Sequence, residues 1–128
     1  MERACVVGID VGTSGARAAA LTEDGALAGS AEVAMGALGE ATDPETWWRS
    51  VRASVADLRK SCDLGDVRAL AVDGTSGTVV AVDRFGEPVW PARMYDEPCD
   101  DEAVMRAIAD CAPAESAARG RTSALARV

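Results

Sequence analysis

The spacing of apolar positions changes several times along the chain, and each change marks an element. Residues 4–9, Ala-Cys-Val-Val-Gly-Ile, form a short continuous apolar run, which predicts a buried strand ending at Asp10. Gly12-Thr13-Ser14-Gly15 then signals a turn. Residues 16–22 are alanine-rich, which favours helix locally. Asp24-Gly25 cuts that stretch with a two-residue hairpin signal, so paired strands over 16–22 and 26–35 are predicted in place of one helix. A loop follows at 36–42. Asp43-Pro44-Glu45 supplies an N-cap, a proline at the first helical position and an acid in the first turn. The helix it opens, over about 44–60, carries Trp47, Trp48, Val51, Val55 and Leu58 at helical spacing. Packing through Trp47, Val51, Val55 and Leu58 is expected.

Beyond Gly65 the period returns to that of strands. Residues 67–73 predict a strand ending at Asp73, Gly74-Thr75-Ser76-Gly77 a turn, and 78–82 a further strand that runs into a turn around Arg84-Phe85-Gly86. An acidic start at Asp100 leads into a helix to about 111. Pro113 opens a short helical stretch stopped near Gly120, and Thr122-Ser123-Ala124-Leu125 has the look of a new helix. The order of elements predicts an α/β domain with a mixed sheet and packed helices.

Composition narrows the picture. The chain has 128 residues, 48% of them hydrophobic but only 4% aromatic, so any core is built from Ala, Val and Leu. A domain this short buries only about two-thirds of its unfolded surface, which leaves a thin stability margin. The net charge of −8 argues against a general nucleic-acid binder or a protein of anionic membrane surfaces. The chain has no His, which excludes Ser-His-Asp and Cys-His catalysis and His-ligated zinc. Lys60, its one lysine, follows no glycine, so a Walker-type loop is excluded. The glycine spacing 8, 12, 15 does not fit a dinucleotide fingerprint. Cys5, Cys62, Cys99 and Cys111 form no Cys-x-x-Cys motif. Free thiols in a reducing cytoplasm are expected, with no secretory signal and no membrane span.

The turns carry the candidate chemistry. In Asp10-Val11-Gly12-Thr13-Ser14-Gly15-Ala16-Arg17, two glycines allow a tight turn and close approach of a ligand. Successive N–H groups there can converge on phosphate. Thr13 and Ser14 add hydroxyls, Arg17 adds a guanidinium, and Asp10 could serve Mg²⁺ through water. An ordinary polar turn with a solvated Asp fits the same residues. Asp73-Gly74-Thr75-Ser76-Gly77-Thr78 is alike but has no nearby base, and suits a neutral, hydroxyl-rich ligand or a plain β-turn. In the acidic run beside Tyr95, Asp100, Asp101 and Glu102 suit a helix start. Asp96 and Glu97 are candidates for bonding sugar hydroxyls.

The stretch Val7–Arg17 resembles the first phosphate motif of the FGGY carbohydrate kinases, members of the ribonuclease H-like superfamily of actin, Hsp70 and sugar kinases. The resemblance continues through Asp43–Trp48, Val72–Thr78, Asp83, Gly86-Glu87-Pro88, Pro91–Glu97 and Thr122–Arg127, and so covers nearly the whole chain in order. Among members, the Gly-Thr-Ser-Gly-Ala-Arg and Asp-Gly-Thr-Ser motifs are most similar to pentulose kinases, those for D-ribulose above all and D-xylulose beside them. The resemblance implies ATP- and Mg²⁺-dependent phosphorylation of a sugar hydroxyl. It gives Asp10 to the metal, Thr13, Ser14, Gly15 and Arg17 to the phosphates, and Ser76, Gly77, Asp96 and Glu97 to the sugar. Members usually have Asn or a similar residue and then Asp where this chain has Asp96-Glu97, and many have Trp at Tyr95. The family's general base, second phosphate loop and adenosine site come beyond residue 128. The chain is therefore expected to be an N-terminal, truncated part of the sugar-binding domain and inactive alone. Sugar and ATP are the implied partners, with a homodimer left open. A non-catalytic sugar- or phosphate-binding module and an actin-like or chaperone-like ATPase remain as alternatives.

Overall fold

The computed structural model describes residues 5–127. They divide into two units, one up to Thr75 and one from Ser76. The first contains strands β1 (Cys5–Val11), β2 (Gly15–Thr22) and β3 (Leu27–Ala34), helix α1 (Pro44–Ser61) and strand β4 (Val67–Gly74). The sheet order is β3-β2-β1-β4. β2 pairs antiparallel with β1 on one side and with β3 on the other, and β4 joins β1 in parallel, giving the mixed sheet predicted above.

The alanine-rich segment is a strand because tertiary pairing outweighs a propensity worth only tenths of a kcal/mol per residue. Gly25, at φ +82°, takes the left-handed position of the hairpin, and the Thr22 N–H donates to the Ala26 carbonyl at 2.9 Å. Ala16, Ala18 and Ala20 alternate onto the buried face. With Val7, Ile9 and Leu58 two of them form the core, flanked by half-buried Val51 and Val55. Small strand residues let α1 lie close: a Cβ on Gly29 would sit 2.7 Å from Ser61 Oγ.

α1 starts as predicted, with Asp43 accepting from the Glu45 N–H at 3.0 Å. Of the expected face, Leu58 is in the core and Val51 and Val55 pack against it, but the centre of the contact lies one residue away. Thr46, Ser50, Ser54 and Leu58 are the fully covered positions, whereas Trp47 is half-buried and Trp48 is 57% exposed. The face is turned by one residue because an alanine floor admits small side chains at the centre of the contact. Local carbonyls satisfy the hydroxyls this buries: Ser50 Oγ donates to the Thr46 carbonyl at 2.8 Å and Ser54 Oγ to that of Val51 at 2.9 Å. The Trp47 indole N–H reaches the Ala41 carbonyl at 2.7 Å.

The second unit departs further from expectation. Residues 78–82 form no strand of the sheet and hold only isolated bridges, Val79 to Arg93 and Val82 to Pro88. A ladder cannot propagate there, since Pro88 and Pro91 lack an N–H. Helix α2 (Glu102–Cys111) is capped by Asp101, whose carboxylate accepts from the Ala103 and Val104 N–H groups. It packs Ile108 with Cys99 and Ala126 in a small core. The stretches after Pro113 and Thr122 are 3₁₀ turns at Ala117–Arg119 and Ala124–Arg127. The four cysteines are free thiols. Among the described residues no helix is long and apolar enough to cross a membrane.

Candidate phosphate-binding site

β1 and β4 are parallel neighbours, so both of their carboxyl ends reach the same edge of the sheet, where α/β folds place ligands. Register then decides which side chains meet. Glu32 pairs with Arg17, Arg17 with Asp10, and Asp10 with Asp73. These four residues cross β3, β2, β1 and β4 in one transverse row on the face away from α1. All four line one cavity of about 610 Å³, with Gly8, Ala19 and Ser30 among its walls.

Arg17 is the centre of the row. Its Nη1 donates to Asp10 Oδ2 at 2.9 Å and its Nη2 to Ser14 Oγ at 3.2 Å. Nη2 also lies 2.9 Å from Glu32 Oε1. The hydrogen bond to Asp10, and next the charge of Glu32, hold the guanidinium pKa above its ordinary value. Arg17 therefore stays charged at neutral pH and well above it. Asp73 Oδ1 accepts from the Gly74 N–H at 2.9 Å.

The turn between β1 and β2 is tied on both sides. The Gly12 N–H donates to the Gly15 carbonyl at 2.9 Å, which closes the turn and takes that donor away from any ligand. The Thr75 N–H reaches the Val11 carbonyl at 3.2 Å, and the Thr13 and Thr75 hydroxyls meet at 3.3 Å. The two similar strand–Asp–turn segments of the sequence thus lie side by side. A Cβ on Gly12 would stand 3.2 Å from Arg17 Nη1, so glycine there leaves room for the Asp10–Arg17 pair. Gly15 is buried, and a Cβ on it would stand 2.4 Å from the Val33 carbonyl oxygen. Close packing against β3 is reason enough for glycine at that position.

Of the residues singled out in the sequence, the first unit therefore brings together Asp10, Ser14 and Arg17, with Thr13 and Gly15 in the same turn. Ser76, Gly77, Asp96 and Glu97 belong to the second unit. Within it, the Val79–Arg93 bridge ties their two segments together and leaves both pairs at the same end of that bridge. Glu97 Oε1 accepts from the Met94 N–H at 3.2 Å, and its carboxylate lies 3.6 Å from Arg93. The sequence reading missed Glu32, and it gave the Asp73 turn to a neutral ligand instead of to this row. A signal for each was present. A hairpin centred on Asp24-Gly25 sets Arg17 opposite Glu32; the turn itself closes one residue out of that register, with Leu21 opposite Leu27, and the bulge between Ala20 and Leu21 restores it. The likeness of the two Asp-bearing turns pointed to Asp73.

Among the described residues there is no group of three or more acidic or thiol ligands able to cage a metal. The donor set at Asp10 suits instead a magnesium held mainly by water and phosphate, with one or two carboxylates.

No protein-family model matches the chain. Solved structures do. It is similar to a xyloylose kinase from Brucella ovis, with TM-score 0.71 and 19% identity over 84% of this chain. A xylulose kinase from Bifidobacterium adolescentis gives TM-score 0.69 and 24% identity over 98% of this chain. A gluconate kinase from Lactobacillus acidophilus gives TM-score 0.69 and 16% identity over 86%. The chain spans 24%, 24% and 23% of those kinases. Its fold is that of the matching part of these sugar kinases.

Proposed function

We propose that this chain contributes the phosphate-facing and sugar-facing part of an ATP- and Mg²⁺-dependent FGGY-type kinase that phosphorylates a hydroxyl of a pentulose, D-ribulose or D-xylulose. The observation that carries the reading is the Asp10–Arg17 pair over a glycine turn, at the carboxyl ends of two parallel strands.

Mg-ATP supplies the transferable γ-phosphoryl group and the charge neutralisation it needs. Around it this chain's residues bind and orient. Arg17 offers phosphate oxygens the guanidinium donors that Asp10, Ser14 and Glu32 leave open. Thr13 and Ser14 present exposed hydroxyls, Gly15 keeps the turn tight, and Asp10 carries the carboxylate for metal-bound water. Ser76, Gly77, Asp96 and Glu97 are assigned to the sugar. The Thr78 hydroxyl beside that turn is buried without a hydrogen-bond partner, which supports a hydroxyl-bearing ligand nearby. The free thiols fit a reducing cytoplasm.

No residue of this chain is assigned as general base, so positioning without proton abstraction is what it offers. Magnesium tripolyphosphate titrated calorimetrically into the chain is expected to bind, and Arg17→Ala to abolish the heat. An ADP-release assay with D-ribulose and D-xylulose is expected to stay at background. Absence of binding, or turnover that co-purifies with the chain, would overturn the reading.

A further inference from the structure

We propose that Glu32 is a positioning residue: it holds the Arg17 guanidinium over the Gly12–Gly15 turn. The proposal rests on the reading of that turn as a phosphate site.

Three groups hold the guanidinium. Asp10 on β1 and Glu32 on β3 flank it from opposite sides, each at 2.9 Å, and Ser14 binds it from the turn at 3.2 Å. The side chain is thereby kept from swinging along the sheet in either direction. The bare Gly12 Cα lies beneath it, close enough that a Cβ would come within 3.2 Å of Nη1. The two carboxylates are not equivalent once a ligand is bound. Asp10 sits at the carboxyl end of the parallel strands, and a cation near it competes with Arg17 for the same oxygens. Glu32 lies on β3, the far edge of the row, one strand beyond Arg17. It remains as the anchor when the hold of Asp10 weakens. A guanidinium pinned on one side keeps its other donors aimed, and loses less rotamer freedom when phosphate arrives.

Simple electrostatics predicts the reverse, which makes the proposal testable. A carboxylate beside an anion site repels the anion, so its removal would tighten binding. Positioning requires that Glu32→Ala weaken binding while Glu32→Gln, whose carbonyl still accepts from Nη2, does not. The pair is half-exposed, at 44% and 60% for the two side chains. The effect expected for Glu32→Ala is therefore small, about two- to fivefold in affinity.

The experiment is calorimetric titration of magnesium tripolyphosphate into the wild-type chain, E32Q and E32A, with NMR relaxation of the Arg17 Nε–H group in the free proteins. Weaker binding and a more mobile Arg17 in E32A, both retained in E32Q, are the expected result. Equal or tighter binding by E32A relative to E32Q, or an Arg17 equally ordered in all three, overturns the role of Glu32 and leaves the phosphate site standing. If the wild type itself binds no tripolyphosphate, the phosphate reading fails and the positioning role fails with it. Both variants lie on a solvent-exposed strand position, and matching thermal midpoints serve as the folding control.

Discussion

At Gly15 the absence of a side chain is fixed by a backbone oxygen, and at Gly12 by the end of a flexible arginine. The distinction separates stability from binding. Gly15→Ala places a Cβ 2.4 Å from the Val33 carbonyl, and strand β3 has to shift. A loss of about 1–3 kcal/mol is expected, read as a lower thermal midpoint. Gly12→Ala meets only Arg17 Nη1 and nearby atoms at 3.2 Å or more. It should leave the midpoint nearly unchanged and weaken tripolyphosphate binding by displacing the guanidinium. Asp10→Asn keeps the shape of the side chain and loses its charge. The Asp10–Arg17 pair is half-exposed, so its loss costs little stability. In an active kinase containing this segment, kcat is expected to fall about 10²-fold, or on the order of 3 kcal/mol. A fall in midpoint with kcat preserved would remove Asp10 from the chemistry. The upward shift on Arg17 has a definite sign. A raised folded-state value stabilises below the unfolded pKa and is lost only as pH rises through the folded one. Both lie far above neutrality, so Arg17 adds no pH dependence to tripolyphosphate binding between about pH 7 and 9.

At the scale of elements, the start of α1 was legible in full and its packing face only in part, through Val51, Val55 and Leu58. Asp43-Pro44-Glu45 specifies a helix start by local chemistry alone, and Asp43→Ala should cost about 1 kcal/mol in denaturant unfolding. Which side of α1 turns inward depends on what it meets. Val and Trp look like the packing face until the floor proves to be alanine, and Thr46, Ser50 and Ser54 then fill the gap. Leu58 is fully buried in that contact, and Leu58→Ala is expected to cost about 2–5 kcal/mol, with the slope of unfolding against denaturant unchanged. The β-branched run at 78–82 misled for a related reason. Its residues suit a strand, but the facing segment carries two prolines and offers no ladder to join. The site divides the same way. Asp10 and Arg17 were legible because they sit in one short motif. Glu32 and Asp73 reach it only through strand register.

At the scale of the molecule, the division after Thr75 is the feature that matters for experiment. The first unit has a core of strand and helix residues, and the second has a smaller one around Cys99, Ile108 and Ala126. Native-state hydrogen exchange is expected to show two levels of protection, higher for the amides of β1, β2 and α1 than for those of α2. A single level across both units would contradict this. The likeness to sugar kinases at 16–24% identity belongs to this scale too. The backbone path is similar where few residues are the same.

The parallel pairing of β1 with β4 has a consequence in time. β1, β2 and β3 meet across short turns, whereas β4 reaches β1 only after the whole of α1 has been laid down, Cys5 beside Val67. Contacts between distant residues form late because closing the intervening chain costs entropy first. During refolding the triad of Asp10, Arg17 and Glu32 is therefore assembled before Asp73 arrives. Pulsed hydrogen exchange should find the β2 and β3 amides protected while those of β4 still exchange, so that the polar end of the sheet is built outward from its arginine.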